Sequence, residues 1–268
     1  LTARLPGVPQ VAVVDTTVHH NLPMPARLYA GPYEWYRDLG IRRFGFHGIN
    51  HQYCAGLAAE MLGRPLQSLK IVSCHLGSGA SLAAVKGGQS IMTTMGYTPL
   101  DGLMMATRSG SIDPGIILHL LEHHKYSSDQ LLETLNKQSG LKGISGVTGD
   151  MKELLAKVEA GGNDQTGERA RLAYDMYVHN LRMQVGSMIA VLNGLDVLVF
   201  TGGVGENSWQ VRESLCSSIS FVGVAVDPDK NRACSTDADI STARAAVRTL
   251  VIHANEELAI ARQAKAFA

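Results

Sequence analysis

Between Lys70 and Thr94 three apolar runs are separated by nothing but glycine turns, and that limits what the chain can become. Lys70-Ile-Val-Ser-Cys-His-Leu76 reads as a buried strand. Gly77-Ser-Gly79 turns it into Ala80-Ser-Leu-Ala-Ala-Val85, and Lys86-Gly-Gly88 turns it again into Gln89-Ser-Ile-Met-Thr-Thr94. Turns this short join antiparallel neighbours, because a parallel crossover needs a dozen or more residues. The segment therefore predicts a three-stranded meander and not a βαβ unit.

Elsewhere strands and helices alternate, the mark of an α/β protein. Val11–Val14 reads as a buried strand ending on Asp15, and Arg43-Phe-Gly-Phe46 as a strand-like segment ending on His47. Asp113-Pro114 supplies an N-cap and a first-turn proline for a helix through Ile116–His123. Ser127 with Gln130, and Asp150 with Glu153, have capping-box spacing; Gly140 is expected to close the first of these helices and Gly161-Gly162 the second. Ala173, Tyr177, Leu181, Val185, Met188 and Leu192 form the apolar stripe of a long helix over Arg169–Leu192. Val197–Phe200 reads as a strand running into Thr201-Gly-Gly-Val-Gly-Glu-Asn207, where Asn207 with Gln210 suits another cap. Thr249–Ile252 is a strand and Glu256–Phe267 a closing helix.

Charge excludes one class of partner. Lys+Arg and Asp+Glu both number 24, and nucleic-acid binding needs clustered positive charge. A phosphate ligand remains open, since a few local donors suffice. No stretch approaches the ~20 apolar residues of a membrane span, and the first residues lack the apolar run of a signal peptide. Cys54, Cys74, Cys216 and Cys234 contain no Cys-x-x-Cys pair, so free thiols in a reducing cytoplasm are expected.

Several segments can carry chemistry, each with a structural alternative. Gly77-Ser78-Gly79 is either an ordinary hairpin tip or a concave anion site made by successive N–H groups. It is neither a Walker loop nor a dinucleotide fingerprint. Gly202-Gly203-Val204-Gly205-Glu206-Asn207 leaves a buried strand and enters a helix, where open α/β sheets bind ligands; the alternative is a glycine-adapted turn. Arg108, in Thr107-Arg-Ser-Gly-Ser111, either reaches a phosphoryl group with its planar fork of donors or pairs with Asp113. Asp15 and His47 each end a strand-like segment and are catalytic or merely backbone-satisfied. His119 and His123 have metal-ligand spacing but no acidic partner, and they are read with the remaining histidines as structural. Glu256 and Glu257 either complement the dipole of the last helix or hold a divalent cation.

Taken in order, seven segments resemble the acetate kinase family, which comprises acetate and propionate kinases. They are Val14-Asp-Thr-Thr-Val-His19, Arg42-Arg-Phe-Gly-Phe-His-Gly48, His75-Leu-Gly-Ser-Gly79, Met95-Gly-Tyr-Thr-Pro-Leu100, Thr107-Arg-Ser-Gly110, Phe200-Thr-Gly-Gly-Val-Gly-Glu-Asn207 and Asn255-Glu-Glu-Leu258. The resemblance implies a two-lobed, ribonuclease-H-like fold of the sugar-kinase, Hsp70 and actin superfamily. It implies reversible transfer of the γ-phosphoryl group of ATP to a short carboxylate, with Mg²⁺ as cofactor. Acetate giving acetyl phosphate is the leading reading; a propionate kinase, or a non-catalytic nucleotide-binding module or pseudoenzyme of the same superfamily, is the alternative. A homodimer in the cytoplasm is also implied.

By the same resemblance, His47 and Arg108 stabilise the transferring group and Asp15 occupies the active-site acid position. His75, Leu76, Gly77, Ser78 and Gly79 cradle the ATP phosphates. Asp150, Met151 and Lys152, with Gly203, Val204, Gly205, Glu206 and Asn207, line the adenosine pocket. Phe46 and Pro99 floor the acyl pocket, and Glu256 helps hold Mg²⁺. Four places depart from the family pattern: Ser78 stands for Asn, Ser111 for Asp, Met151-Lys152 for Phe-Arg, and His253-Ala254 for Pro-Thr. The family's opening Asn-x-Gly-Ser-Ser-Ser-x-Lys does not occur in the chain. The expectation is a C-terminal portion, inactive alone, with most of the N-terminal lobe missing. Residues 1–17 would end that lobe, 18–256 would form the nucleotide-binding lobe, and 257–268 would be a closing helix returning to the first lobe.

Overall fold

Alternation along the central strands decides which side chains meet. The computed structural model describes residues 4, 6–8, 10–161, 165–265 and 267. In β1 (Lys70–Leu76), Val72, Cys74 and Leu76 enter one buried cluster while Ile71 enters another. β2 (Ala80–Lys86) and β4 (Val197–Thr201) divide likewise: Leu82, Ala84, Leu198 and Phe200 face one way, Ala83, Val85, Val197 and Val199 the other. Period-two side-chain direction thus makes a sheet buried on both faces.

β3 (Gln89–Thr93), β5 (Ala238–Asp239) and β6 (Arg248–Val251) complete a six-stranded sheet of order β3-β2-β1-β4-β6-β5. The meander β1-β2-β3 is antiparallel as expected. β4 lies parallel to β1 and β6 parallel to β4, while β5 is antiparallel to β6. This is the ribonuclease-H-like arrangement that the resemblance implied.

Helices cover the two faces. The short α1 (Met24–Arg27) and α2 (Tyr33–Leu39) precede α3 (Gly48–Leu62), whose Cys54, Ala55, Ala58 and Ala59 pack with Ile71, Val197 and Val199. Four small residues let this helix approach the sheet closely. α4 (Pro114–His123) and α5 (Ser128–Lys137) follow the sheet meander, and on the face opposite α3 lie α6 (Gly140–Ser145), α7 (Met151–Glu159) and the 28-residue α8 (Gln165–Leu192). These three supply buried side chains to the core on that face, and α8 buries the expected stripe from Ala173 to Leu192. Each fully buried Leu or Val there contributes about 1.5–3 kcal/mol. After β4 come α9 (Gly202–Asn207), α10 (Trp209–Ser218), α11 (Pro228–Ala233) and α12 (Glu256–Lys265), the last packing on α3.

The N-cap side chains of α4, α5 and α7 accept as their sequence positions predict. Asp113 accepts from the Gly115 N–H, and Ser127 with Gln130 forms both bonds of a capping box. Asp150 accepts from the Glu153 N–H, but the Glu153 carboxylate takes the Thr148 hydroxyl at 2.6 Å instead of closing the box. Two other local readings fail. Gly140 does not close α5, which ends at Lys137; it opens α6 at φ +61, where a Cβ would strike the Met105 carbonyl oxygen. Asn207 turns its amide back onto the Gly203 carbonyl at 2.8 Å and caps nothing. Gly162 lies outside the described residues.

Val11–Val14 joins no ladder among the described residues, and Val14 is 53% exposed. A strand exists only with a neighbour to exchange hydrogen bonds with. Arg43–Phe46 is likewise not a strand; the Phe44 and Gly45 N–H groups both donate to the Gly96 carbonyl. All four cysteines are free, with Cys54, Cys74 and Cys216 buried. Among the described residues no helix is long and apolar enough to cross a membrane.

Candidate active site

The site begins where the chain enters α3. His47, its N-cap, sits at φ +56, a left-handed conformation uncommon for a residue with a side chain. Asp15 holds it there: Oδ2 accepts from the His47 N–H at 2.6 Å and Oδ1 from the Ile49 N–H at 3.1 Å. The carboxylate thereby satisfies two otherwise orphaned donors and complements the positive helix end. Asp15, expected as an active-site acid, is thus also the anchor of His47.

At the end of the sheet face that α3 covers, polar side chains replace apolar ones and meet the first turns of the helix. Pairing sets His75 opposite Ser81 on one side and opposite Thr201 on the other. His47 Nδ1 lies 2.9 Å from Ser81 Oγ, and His51 Nε2 lies 2.7 Å from the same oxygen. His51 Nδ1 lies 2.9 Å from Ser73 Oγ. His75 Nδ1 is 2.8 Å from the Asn50 amide nitrogen, and its ring stacks on His47 with centroids 4.1 Å apart. Burial pushes His19 and His47 below the ordinary 6.5, His51 well below it, and His75 down to about 3; Asp15 opposes this at His19, His47 and His75. All four imidazoles are therefore neutral at pH 7.

Arg108 approaches from the other side. A Cβ at Gly79 would lie 3.2 Å from Arg108 Nη1 and 3.5 Å from His47 Nε2, so the hairpin tip, the guanidinium and the imidazole converge. Arg108 Nη1 donates to the Pro99 carbonyl at 3.3 Å, and among the described residues the guanidinium makes no ion pair. Asp113, its alternative partner, is occupied as the cap of α4. The Arg108 loop is tied to the hairpin through the Ala106 N–H, which donates to the Ser78 carbonyl at 3.4 Å. Phe46 is half-buried against the sheet core beside His47, and Pro99 is exposed beside Arg108.

A cleft of about 750 Å³ runs on from the hairpin tip. Gly77, Ser78, Asp150, Met151, Lys152, Gly203, Val204 and Asn207 line it, so segments far apart in sequence share one wall. The remaining expected nucleotide residues do not line it. Leu76 is wholly buried in the core. Gly205 lies against Phe200, and its carbonyl accepts from Arg212. Glu206 Oε1 accepts from the Gly202 N–H at 2.7 Å and the Ala254 N–H at 2.9 Å. These residues shape the loop that the cleft uses.

Glu256 stands in the first turn of α12, and its carboxyl is raised first by burial and then by the negative charge of Asp15. Among the described residues no three side-chain ligands converge on one point.

Comparison with known proteins decides the lineage. The acetokinase family model matches residues 1–262. The chain belongs to the acetokinase family. Acetate kinase of Trichormus variabilis is 56% identical over 259 residues, covering 97% of this chain and 62% of that protein. Acetate kinase of Gloeobacter violaceus is 54% identical over 258 residues, covering 96% and 62%. The structure of Porphyromonas gingivalis acetate kinase superposes with a TM-score of 0.93 at 39% identity, covering 98% of this chain and 65% of that one. A propionate kinase from Francisella tularensis gives 0.89 at 39% identity, with the same coverage. The chain thus spans less than two thirds of the length of these relatives.

In this acetokinase chain Asn50, Ser73, Ser81 and Arg212 join the site without belonging to a motif evident in sequence, and His19 and His51, structural by sequence, lie beside His47. A signal existed for some of them. His47, Asn50 and His51 share a helix face by three-and-four spacing, and strand alternation puts Ser73 and His75 on one side. Arg212 gave no signal. It is 1% exposed and donates only to neutral oxygens: Asn231 Oδ1 and carbonyl, and the Gly205 and Glu206 carbonyls, all at 2.7–2.9 Å.

Proposed function

We propose that the protein carrying this chain transfers the γ-phosphoryl group of ATP to the carboxylate of acetate, reversibly, giving acetyl phosphate and ADP. The observation that carries this reading is the Arg108 guanidinium, without an ion pair among the described residues, meeting His47 at the Gly79 tip beside the cleft. An acetate carboxylate is already ionised at neutral pH, so the reaction needs no strong base. The obstacle is bringing two anions together, which fixed positive charge and oriented donors overcome.

Arg108 would offer two N–H donors to the equatorial oxygens of the transferring group, and His47 a third donor from the opposite side. Gly77 and Ser78 would hold the phosphates, with Asp150, Met151, Lys152, Gly203, Val204 and Asn207 along the adenosine. Phe46 and Pro99 would close the acyl pocket. By the family resemblance, Asp15 and Glu256 would stand near a Mg²⁺ ion held largely by phosphate oxygens, since Mg²⁺ commonly takes only one or two carboxylates. When bound, the ion would neutralise phosphate charge.

The two-lobe division belongs to the same reading. Val11–Val14, Gln263 and Phe267 line one groove, which supports residues 1–17 and 257–268 belonging together against a first lobe. A cytoplasmic homodimer is proposed on family resemblance. Curated relatives named acetate kinases support acetate as acceptor.

Trapping the acyl phosphate with hydroxylamine tests the reading. The full-length protein given ATP and Mg²⁺ should form acetohydroxamate from acetate faster than propionohydroxamate from propionate. Nucleotide binding without either hydroxamate would replace the kinase by a binding module.

A further inference from the structure

We infer that Ser73, His51 and Ser81 form a hydrogen-bond relay of fixed direction that holds His47 as its neutral Nε2–H tautomer. His47 then presents a proton-bearing nitrogen to whatever occupies the space beyond Gly79. Calling that occupant a transferring phosphoryl group rests on the proposed function; the direction of the relay does not.

The atoms form one line: Ser73 Oγ, His51 Nδ1 at 2.9 Å, His51 Nε2, Ser81 Oγ at 2.7 Å, and His47 Nδ1 at 2.9 Å. Ser73, His51 and Ser81 are all wholly buried. Each hydroxyl carries one proton, and each neutral imidazole carries one on either nitrogen. A protonated His51 is opposed by its burial and by the neighbouring histidines.

Only one arrangement satisfies every member. If the Ser73 hydroxyl donates to His51 Nδ1, then His51 Nε2–H donates to Ser81 Oγ. The Ser81 hydroxyl in turn donates to His47 Nδ1, and the His47 proton sits on Nε2. In the reverse arrangement His47 Nδ1–H donates to Ser81, Ser81 to His51 Nε2, and His51 Nδ1–H to Ser73. The Ser73 hydroxyl proton then has no acceptor in a site sealed from water, since its oxygen has no other partner among the described residues. If both imidazoles donate to Ser81, it is the Ser81 hydroxyl proton that is stranded. A stranded buried donor is costly enough to select against both arrangements.

The relay ends at the site. His47 Nε2 has no hydrogen-bond partner among the described residues and points toward Gly79 and Arg108. Stacking on His75 limits rotation of the ring. The protein therefore offers a neutral donor next to a fixed cation, and no proton needs to move. His51, Ser73 and Ser81 are positioning residues; His47 is the group that touches the ligand.

Two-bond ¹H–¹⁵N correlation spectra of the labelled full-length protein at pH 7 read the tautomers directly. The expected result is the Nε2–H pattern for both His47 and His51. An Nδ1–H pattern for either ring overturns the inference. Ser81→Ala should leave His51 assignable while His47 becomes a mixture of tautomers, and should lower kcat about 10-fold with little change in the KM for ATP. An unchanged His47 pattern in Ser81→Ala also overturns it. His51→Gln, whose amide can still donate to Ser81, should keep the His47 pattern, and loss of that pattern in the folded variant overturns the inference. Nε2–H patterns together with no acyl phosphate formation would uphold the relay and refute the kinase reading.

Discussion

Gly79 and Arg108 are packed so that the methyl group glycine lacks would lie 3.2 Å from the guanidinium nitrogen Nη1. The closeness is not a demand of the turn, because Gly79 does not have a positive φ. Space for the arginine, not backbone conformation, is what an absent side chain provides here.

Gly79→Ala should therefore damage activity much more than stability. The added Cβ displaces Arg108 or His47 by a few tenths of an ångström, and kcat should fall at least about 10-fold. The unfolding free energy should change by less than about 1 kcal/mol. Steady-state kinetics beside urea melts separates the two. Gly140→Ala is the control in the opposite sense, since its φ is +61 and its Cβ would strike the Met105 carbonyl; that variant should lose more than about 2 kcal/mol.

Arg108→Ala should reduce acyl phosphate formation about 10²–10³-fold, the usual consequence of removing one well-placed transition-state donor. Arg108→Lys should restore little, because an ammonium cannot reproduce a two-pronged contact. Hydroxamate trapping measures both, and undiminished activity in the alanine variant would remove the arginine from the mechanism.

Acid should destabilise the fold. The buried imidazoles have folded pKa values below the ordinary 6.5, and that of His75 is about 3. Between those limits the unfolded chain binds protons that the folded chain does not. Stability is thus complete above about pH 6.5 and declines on acidification, by up to about 1.4 kcal/mol per pH unit for each such group. Urea midpoints should fall between pH 7.5 and 5.5, and His75→Gln should reduce the slope. Equal midpoints would show that these rings charge freely in the folded state.

Arg212→Met should destabilise by about 3 kcal/mol or more, since four buried oxygens lose their donors. Two of those oxygens belong to Gly205 and Glu206, so nucleotide affinity should fall along with the melting temperature. Isothermal titration with ADP below the transition would detect it; unchanged affinity would detach this arginine from the cleft.

Trp209 lines the cleft and Trp35 does not. Nucleotide binding should therefore change tryptophan emission, and Trp209→Phe should abolish the change. A response that survives the substitution would place the nucleotide elsewhere.

Much of the fold was legible because its causes are local. The meander follows from turns too short for a crossover. The Ser127 capping box joins residues three apart, and the α8 stripe is a period written into consecutive residues. Two readings that failed depended on distant partners. Gly140 looked like a helix terminator until the Met105 carbonyl took the space a side chain would need. Val11–Val14 looked like a strand, but pattern alone cannot supply a neighbour to bond with.

The sequence by itself determined the antiparallel meander, the long helix and the family, since order and spacing of motifs survive without coordinates. Tertiary structure alone decided that Arg108 meets Gly79, that Asp15 anchors His47, and that His51 shares Ser81 with it. Those contacts join segments that packing brings together, and their strength comes from burial, which turns ordinary polar side chains into neutral partners of fixed direction.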